Sequence, residues 1–268
     1  MIKLLRLSVN LLRSKIFLTR SMKIIWIALF VVALSACKPK PIDPPPAPAE
    51  TVRILVNPTF ASNALKLDSI YQGPNGIRIK VSDIKFFTTL LGHQNNQLAE
   101  VAYFDFREKG NVLLDKAADY TKFPSLSMVL GVDTSLNHDD PSAFPNDSPL
   151  NIVNAGSMHW GWNTGYIFIS VEGKADTLND GIDNFDLSFS YHIGTDLYQQ
   201  PISFNNFSWV KTGEHQHTLS LELDMQSFFF NPLQPIDIPN EPFTHSGAGL
   251  GALTQKVTEN FKNALHLP

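Results

Sequence analysis

Apolar and polar residues alternate with a period of two through residues 51–57, 76–88, 101–106, 166–173, 186–191 and 218–225. That is the pattern of strands with one buried and one wet face, and a short apolar run at 126–130 adds another. Gly73-Pro74-Asn75-Gly76, Glu108-Lys109-Gly110-Asn111, Asn179-Asp180-Gly181 and Thr212-Gly213-Glu214 carry turn chemistry between them. Only residues 253–265 change period: Leu253, Val257, Asn260, Phe261 and Leu265 fall near 3.6-residue spacing and predict one helix packed on an end of the sheets. No internal repeat is visible. The pattern predicts an all-β fold, an antiparallel β-sandwich or barrel-like sandwich with long loops and a short C-terminal helix. Residues 131–150 break the rhythm as a long loop rich in Asp, Asn and Pro, a kind of segment that in compact domains tends to be functional.

The first 50 residues follow different rules. Lys23 precedes an apolar run at 24–34 that is too short to span a bilayer but suits the core of a signal peptide. Residues 1–36 are read as a signal peptide with an upstream extension, Met22 making the better start, and an N-terminal amphipathic helix is the alternative. Leu34-Ser35-Ala36-Cys37 has the form of a bacterial lipobox, so Cys37 is the expected lipidation site. Residues 37–50 form the lipidated cysteine and its proline-rich tether, which favours extended polyproline geometry. Residues 51–268 form one β-sandwich domain, expected in the bacterial cell envelope as an outer-membrane lipoprotein held to the membrane by its lipid.

Charge and cysteine content narrow the chemistry. Residues 1–36 hold six of the 21 basic residues and none of the 25 acidic ones, so the remainder is acidic by ten charges. It has no basic cluster to neutralise phosphates, which argues against nucleic acid. With one cysteine, disulfides and thiolate-built zinc or iron sites are excluded, and any metal must use imidazole, carboxylate, thioether or carbonyl donors. Neither a nucleophile elbow nor a phosphate loop nor a zinc-protease helix motif is present. The chain is accordingly read as not an enzyme.

The chemistry-bearing residues concentrate in Ser157-Met158-His159-Trp160-Gly161-Trp162-Asn163-Thr164-Gly165-Tyr166, which holds two of the four tryptophans. This string resembles the MbnP family of exported copper-binding proteins and the related copper-repressible surface proteins of methane-oxidising bacteria. The likeness extends to Gly131-Val132, Leu136-Asn137-His138, Pro149-Leu150, Glu172-Gly173, Tyr191-His192-Ile193-Gly194, Leu223-Asp224-Met225, Asn231-Pro232, Thr244-His245-Ser246 and Asn260-Phe261. It covers most of the chain from about Ile54 onward. The resemblance implies an all-β fold and a Cu(I) site of histidine imidazoles with a kynurenine derived from tryptophan. It also implies a dihaem partner enzyme of the cytochrome c peroxidase type that oxidises that tryptophan.

Residue by residue, His138 on the acidic loop and His192 at the end of a strand are the expected metal ligands, with Asp139 orienting an imidazole. Two imidazoles suit Cu(I), which accepts low coordination, better than Zn(II), which would need further ligands. Trp160 and Trp162, two apart across Gly161, share a face if extended, and one of them is the expected oxidised group. His159 points the other way and ranks lower, as does His245 after the proline-rich stretch; Met158 fills the core and Tyr166 packs. His215-Gln216-His217 places two imidazoles on one side of a strand start, which is more often an exposed hairpin edge. Residues 176–186 have the flavour of a calcium loop, but Leu178 and Leu187 stand where oxygen ligands are needed, so a polar hairpin turn is expected. The competing reading is a surface lipoprotein that recognises a glycan or protein through Trp160, Trp162 and Trp209.

Overall fold

Along Thr51–Phe60 every second residue is buried, and this alternation recurs in the strands that carry the core. A computed structural model describes residues 48–161, 165–178, 180, 182–246 and 251–268. The expected signal segment, Cys37, most of the tether and Trp162 lie outside the described residues. Chain order runs β1 (Thr51–Phe60), β2 (Asn63–Ala64), β3 (Tyr71–Gln72), β4 (Arg78–His93), β5 (Asn96–Asp105), β6 (Val112–Ala117), β7 (Leu126–Leu130) and β8 (His159–Gly161). It continues with β9 (Gly165–Asp176), β10 (Leu187–Gly194), β11 (Gln200–Phe204), β12 (Val210–Gly213), β13 (Gln216–Asp224), β14 (Phe243–His245) and β15 (Leu265–His266).

These strands form two sheets, as an all-β sandwich requires. One has the order β12-β13-β1-β2, with β15 on β13 and β6 on β1; the other runs β11-β7-β4-β9-β10-β14, with β3 and β5 on β4 and β8 on β9. Every alternating segment of the sequence lies in one of the long strands to within two residues at its ends. Among the described residues two pairings are parallel: β1 with β13, from Thr51 opposite Gln216 to Thr59 opposite Asp224, and β10 with β14. Both join segments distant in sequence, as a parallel pair must, since only antiparallel neighbours can be joined by a tight hairpin. The strand expected at 76–88 runs on to His93, pairs with β5 and then with β7, and passes through Leu90 at φ 55°.

Between the sheets lies one apolar core in which Phe86, Phe104, Phe168, Phe189, Phe228 and Phe261 are essentially fully buried. The helix Ala252–Ala264 closes one side. Its Phe261 meets Phe86 and Phe228 edge to face at 5.4 and 5.8 Å, and Asn260 donates to the carbonyls of Phe228 and Gln234. At residues 176–186 the carboxylates of Asp176 and Asp183 pair with Arg78 while Asp186 accepts from the Thr177 backbone and hydroxyl. The acidic side chains are consumed in holding a polar turn.

Candidate metal centre

On β9 and β10 the side chains of Ile169, Val171, Tyr191 and Ile193 enter the core and are fully buried. By alternation, Ser170, Glu172, Ser190 and His192 occupy the opposite face. Antiparallel register sets His192 opposite Ser170 and Ser190 opposite Glu172, and β4 continues the row with Lys85 opposite Ser170 and Asp83 opposite Glu172. On the other side of β10, the parallel register of β14 brings His245 opposite His192. A polar stripe thus crosses the outer face of the larger sheet.

Within that stripe His192 Nε2 lies 2.7 Å from Glu172 Oε1 and 3.2 Å from Ser190 Oγ. A carboxylate accepting from Nε2 fixes the proton there, which leaves the Nδ1 lone pair as the donor toward a metal. The hydrogen bond from His192 holds the Glu172 carboxyl below the usual carboxylate range; partial burial opposes this, and the charges of His192, Lys85 and His245 assist it. The rings of His192 and His245 meet edge to face at 4.8 Å and 83°. Burial, and after it the neighbouring His192, lowers the pKa of His245 while Glu172 opposes the shift. His245 is therefore biased toward the neutral form that metal binding needs.

Gly194 follows two residues later. A Cβ there would stand 2.7 Å from Cζ3 of the Trp160 indole and 2.6 Å from the Tyr166 carbonyl oxygen, so only glycine lets the tryptophan seat directly on β10. Trp160 is partly buried against the core. Ser246 locks the junction: its Oγ accepts from the Gly194 N–H at 2.5 Å and donates to the Gly194 carbonyl at 2.9 Å, and its N–H donates to the His192 carbonyl at 3.1 Å.

His138 arrives from the long loop, at the end of the short helix Thr134–Asn137. Its Nε2 lies 3.1 Å from Asp196 Oδ2, and its side chain is 49% exposed. The carboxylate on His138 is thus Asp196, just past β10, rather than the adjacent Asp139, because the helical turn directs the ring toward the strand end. Asn137 braces this pair, its Nδ2 donating to Asp196 Oδ1 at 2.8 Å and its Oδ1 accepting from the Tyr166 N–H at 2.9 Å. Gly165, at φ +72°, makes room, since a Cβ there would stand 2.3 Å from Asn137 Oδ1. Asp196 is four residues beyond His192, a span of at most about 14 Å of extended chain. Both imidazoles therefore sit near the same end of β10, while the ring in contact with His192 is that of His245.

The remaining candidates are placed as follows. His159 turns its ring edge-on to Tyr166 at 4.8 Å, and burial lowers its pKa. Met158 is buried in the core, and Tyr166, also buried, donates its hydroxyl to the Leu150 carbonyl at 2.5 Å. Trp209 precedes β12 of the other sheet and donates its indole N–H to the Phe123 carbonyl at 2.9 Å. Among the described residues no group of three or more His, Asp or Glu side chains closes a ready-made metal cage. Sequence reasoning missed Glu172 and Asp196 as the partners of the two histidines. Alternation puts Glu172 on the same face of β9 as Ser170, but its meeting with His192 is set by the register of β9 against β10.

A family model described as MbnP matches residues 49–246. Among solved structures the chain is similar to "MbnP from Methylosinus trichosporium", at 17% identity over 75% of this chain and 82% of that one, with a TM-score of 0.46. No curated protein sequence matches it significantly.

Proposed function

Because the chain belongs to the MbnP family, which is associated with copper, we propose that it is a non-catalytic Cu(I)-binding lipoprotein of the bacterial envelope, anchored through Cys37. The observation that carries this reading is the His192–His245 ring pair at 4.8 Å, with Glu172 on His192 Nε2 and Trp160 seated on the neighbouring Gly194. The donor set fits the ion: two imidazoles, one with its proton fixed by a carboxylate and one biased to neutrality, suit a soft monovalent cation content with few ligands. His192 and His245 would hold the metal, and His138 would supply a further imidazole near the same strand end. Trp160 or Trp162, oxidised to kynurenine by a dihaem enzyme of the cytochrome c peroxidase type, would complete the site.

The test is to co-express the full chain with such an enzyme, titrate Cu(I) against a chromogenic chelator, and measure the mass of the fragment covering residues 150–170. A stoichiometric Cu(I) that is lost in His192→Ala and His245→Ala, together with an altered tryptophan mass, is the expected result. Equal Cu(I) affinity in wild type and both variants would overturn the metal reading, and an unchanged fragment mass would remove the kynurenine.

A further inference from the structure

A second set of imidazoles lies on the other sheet, where the parallel strands β1 and β13 begin together. Glu50, the residue before β1, reaches both members of His215-Gln216-His217: its Oε1 is 3.3 Å from His215 Nδ1 and its Oε2 is 3.2 Å from His217 Nδ1. His217 is held firmly, 8% exposed and stacked on Tyr120 at 3.7 Å and 21°. The two more accessible groups are Glu50 and His215, with side chains 41% and 35% exposed. His217 Nδ1 and Glu50 Oε2 are buried with no hydrogen-bond partner although they are neighbours. A native protein rarely leaves such atoms unsatisfied without a reason such as an ion. Donor atoms that stand close but are not aimed at one another are arranged as two ligands of a third atom would be.

The geometry points to a divalent transition-metal site made by Glu50, His215 and His217, taking a borderline ion such as Zn(II) and separate from the Cu(I) centre on the larger sheet. Two ligands bonded at 2.0–2.1 Å to one tetrahedral ion lie about 3.3 Å apart, which is the spacing that both histidines keep from the Glu50 carboxylate. The three groups stop short of a closed cage, and the partly exposed Glu50 and His215 supply the rotation that closes it onto the fixed His217. Water supplies the fourth position. Thr51 already donates its N–H and hydroxyl to the His215 carbonyl at 2.7 and 3.0 Å. A metal here would rivet Glu50, the last residue of the tether, to the start of β13.

The experiment titrates Zn(II) into the full chain with a competing chromogenic chelator and follows thermal unfolding with and without the ion. Wild type should bind one Zn(II) that Glu50→Gln and His215→Ala bind at least about tenfold more weakly. His192→Ala and His245→Ala should leave that affinity unchanged. Zn(II) should raise the unfolding temperature of wild type and of the His192 and His245 variants, but not of the Glu50 and His215 variants, since an ion stabilises only the fold that binds it. Equal Zn(II) binding by wild type and Glu50→Gln, or loss of the ion with His192→Ala instead, would overturn the assignment. Neither result depends on whether the Cu(I) reading holds.

Discussion

Two imidazole–carboxylate pairs stand near the same end of β10 and are held by different means. His192 and Glu172 come from adjacent strands, 2.7 Å apart, with the histidine side chain 17% exposed. Their separation is set by sheet register, and moving it means slipping a whole strand past its core-facing residues. His138 and Asp196 are 3.1 Å apart with the histidine half exposed, and what positions them is side-chain hydrogen bonding: buried Asn137 bridges the loop to β9 and to Asp196, and Gln199 donates to Asp196 Oδ1 and to the Val132 carbonyl. The strand pair is preorganised by the fold, whereas the loop pair depends on a local brace. A metal centre built on both would have one fixed donor and one adjustable donor.

The brace can be broken without touching either carboxylate. Gly165→Ala puts a Cβ within 2.3 Å of Asn137 Oδ1 at a backbone angle of φ +72°, so the variant should lose about 3 kcal/mol of stability in chemical denaturation. A loss below about 1 kcal/mol would mean that the loop relaxes around the new methyl group and that Asn137 is not the brace. Next in size, His192→Ala should weaken Cu(I) about a hundredfold, roughly 2.7 kcal/mol, while His138→Ala weakens it by no more than about tenfold. If the two losses are equal or reversed, rigidity does not rank the donors and the comparison fails.

The same contrast explains what the sequence reveals. Period-two alternation places every long strand and puts His192 on a polar face, because a sheet with a buried side dictates its side-chain pattern residue by residue. It does not contain the partners. That Glu172 meets His192 depends on the register of β9 against β10, and that His245 meets it depends on a parallel pairing across 52 intervening residues, neither of which leaves a local trace. Asp139 is the expected neighbour of His138, yet a helical turn aims the ring at Asp196, 58 residues away. Gly165 and Gly194 are the points of closest approach for Asn137 and Trp160. His217, expected at an exposed hairpin edge, is buried because β13 lies inside its sheet between β1 and β12, with Tyr120 covering the ring.

Smaller effects sharpen the ranking. Glu172→Gln keeps the shape of the strand pair but removes the charge that fixes the His192 proton, so Cu(I) affinity should fall about tenfold. Asp196→Asn, acting on the adjustable pair, should cost less in the same titration; a larger loss from Asp196→Asn would place the stronger donor on the loop.

The smallest effect is a titration. His245 should take its proton below the ordinary histidine value of 6.5, chiefly because burial disfavours the charged ring and secondarily because His192 stands beside it. The unfolded chain then binds this proton first, so the His245 contribution to stability is intact above that ordinary value and declines as pH falls through it. NMR of the imidazole resonances in the metal-free protein reads the midpoint directly. His192→Ala should move it partway back up, since the neighbouring ring that lowers it is gone but burial remains, and Glu172→Gln should move it further down, since the carboxylate favours the proton. A midpoint at the ordinary value in wild type would mean that His245 is solvated rather than packed on β10. The two-imidazole contact, on which the stronger half of the centre rests, would then not exist in solution.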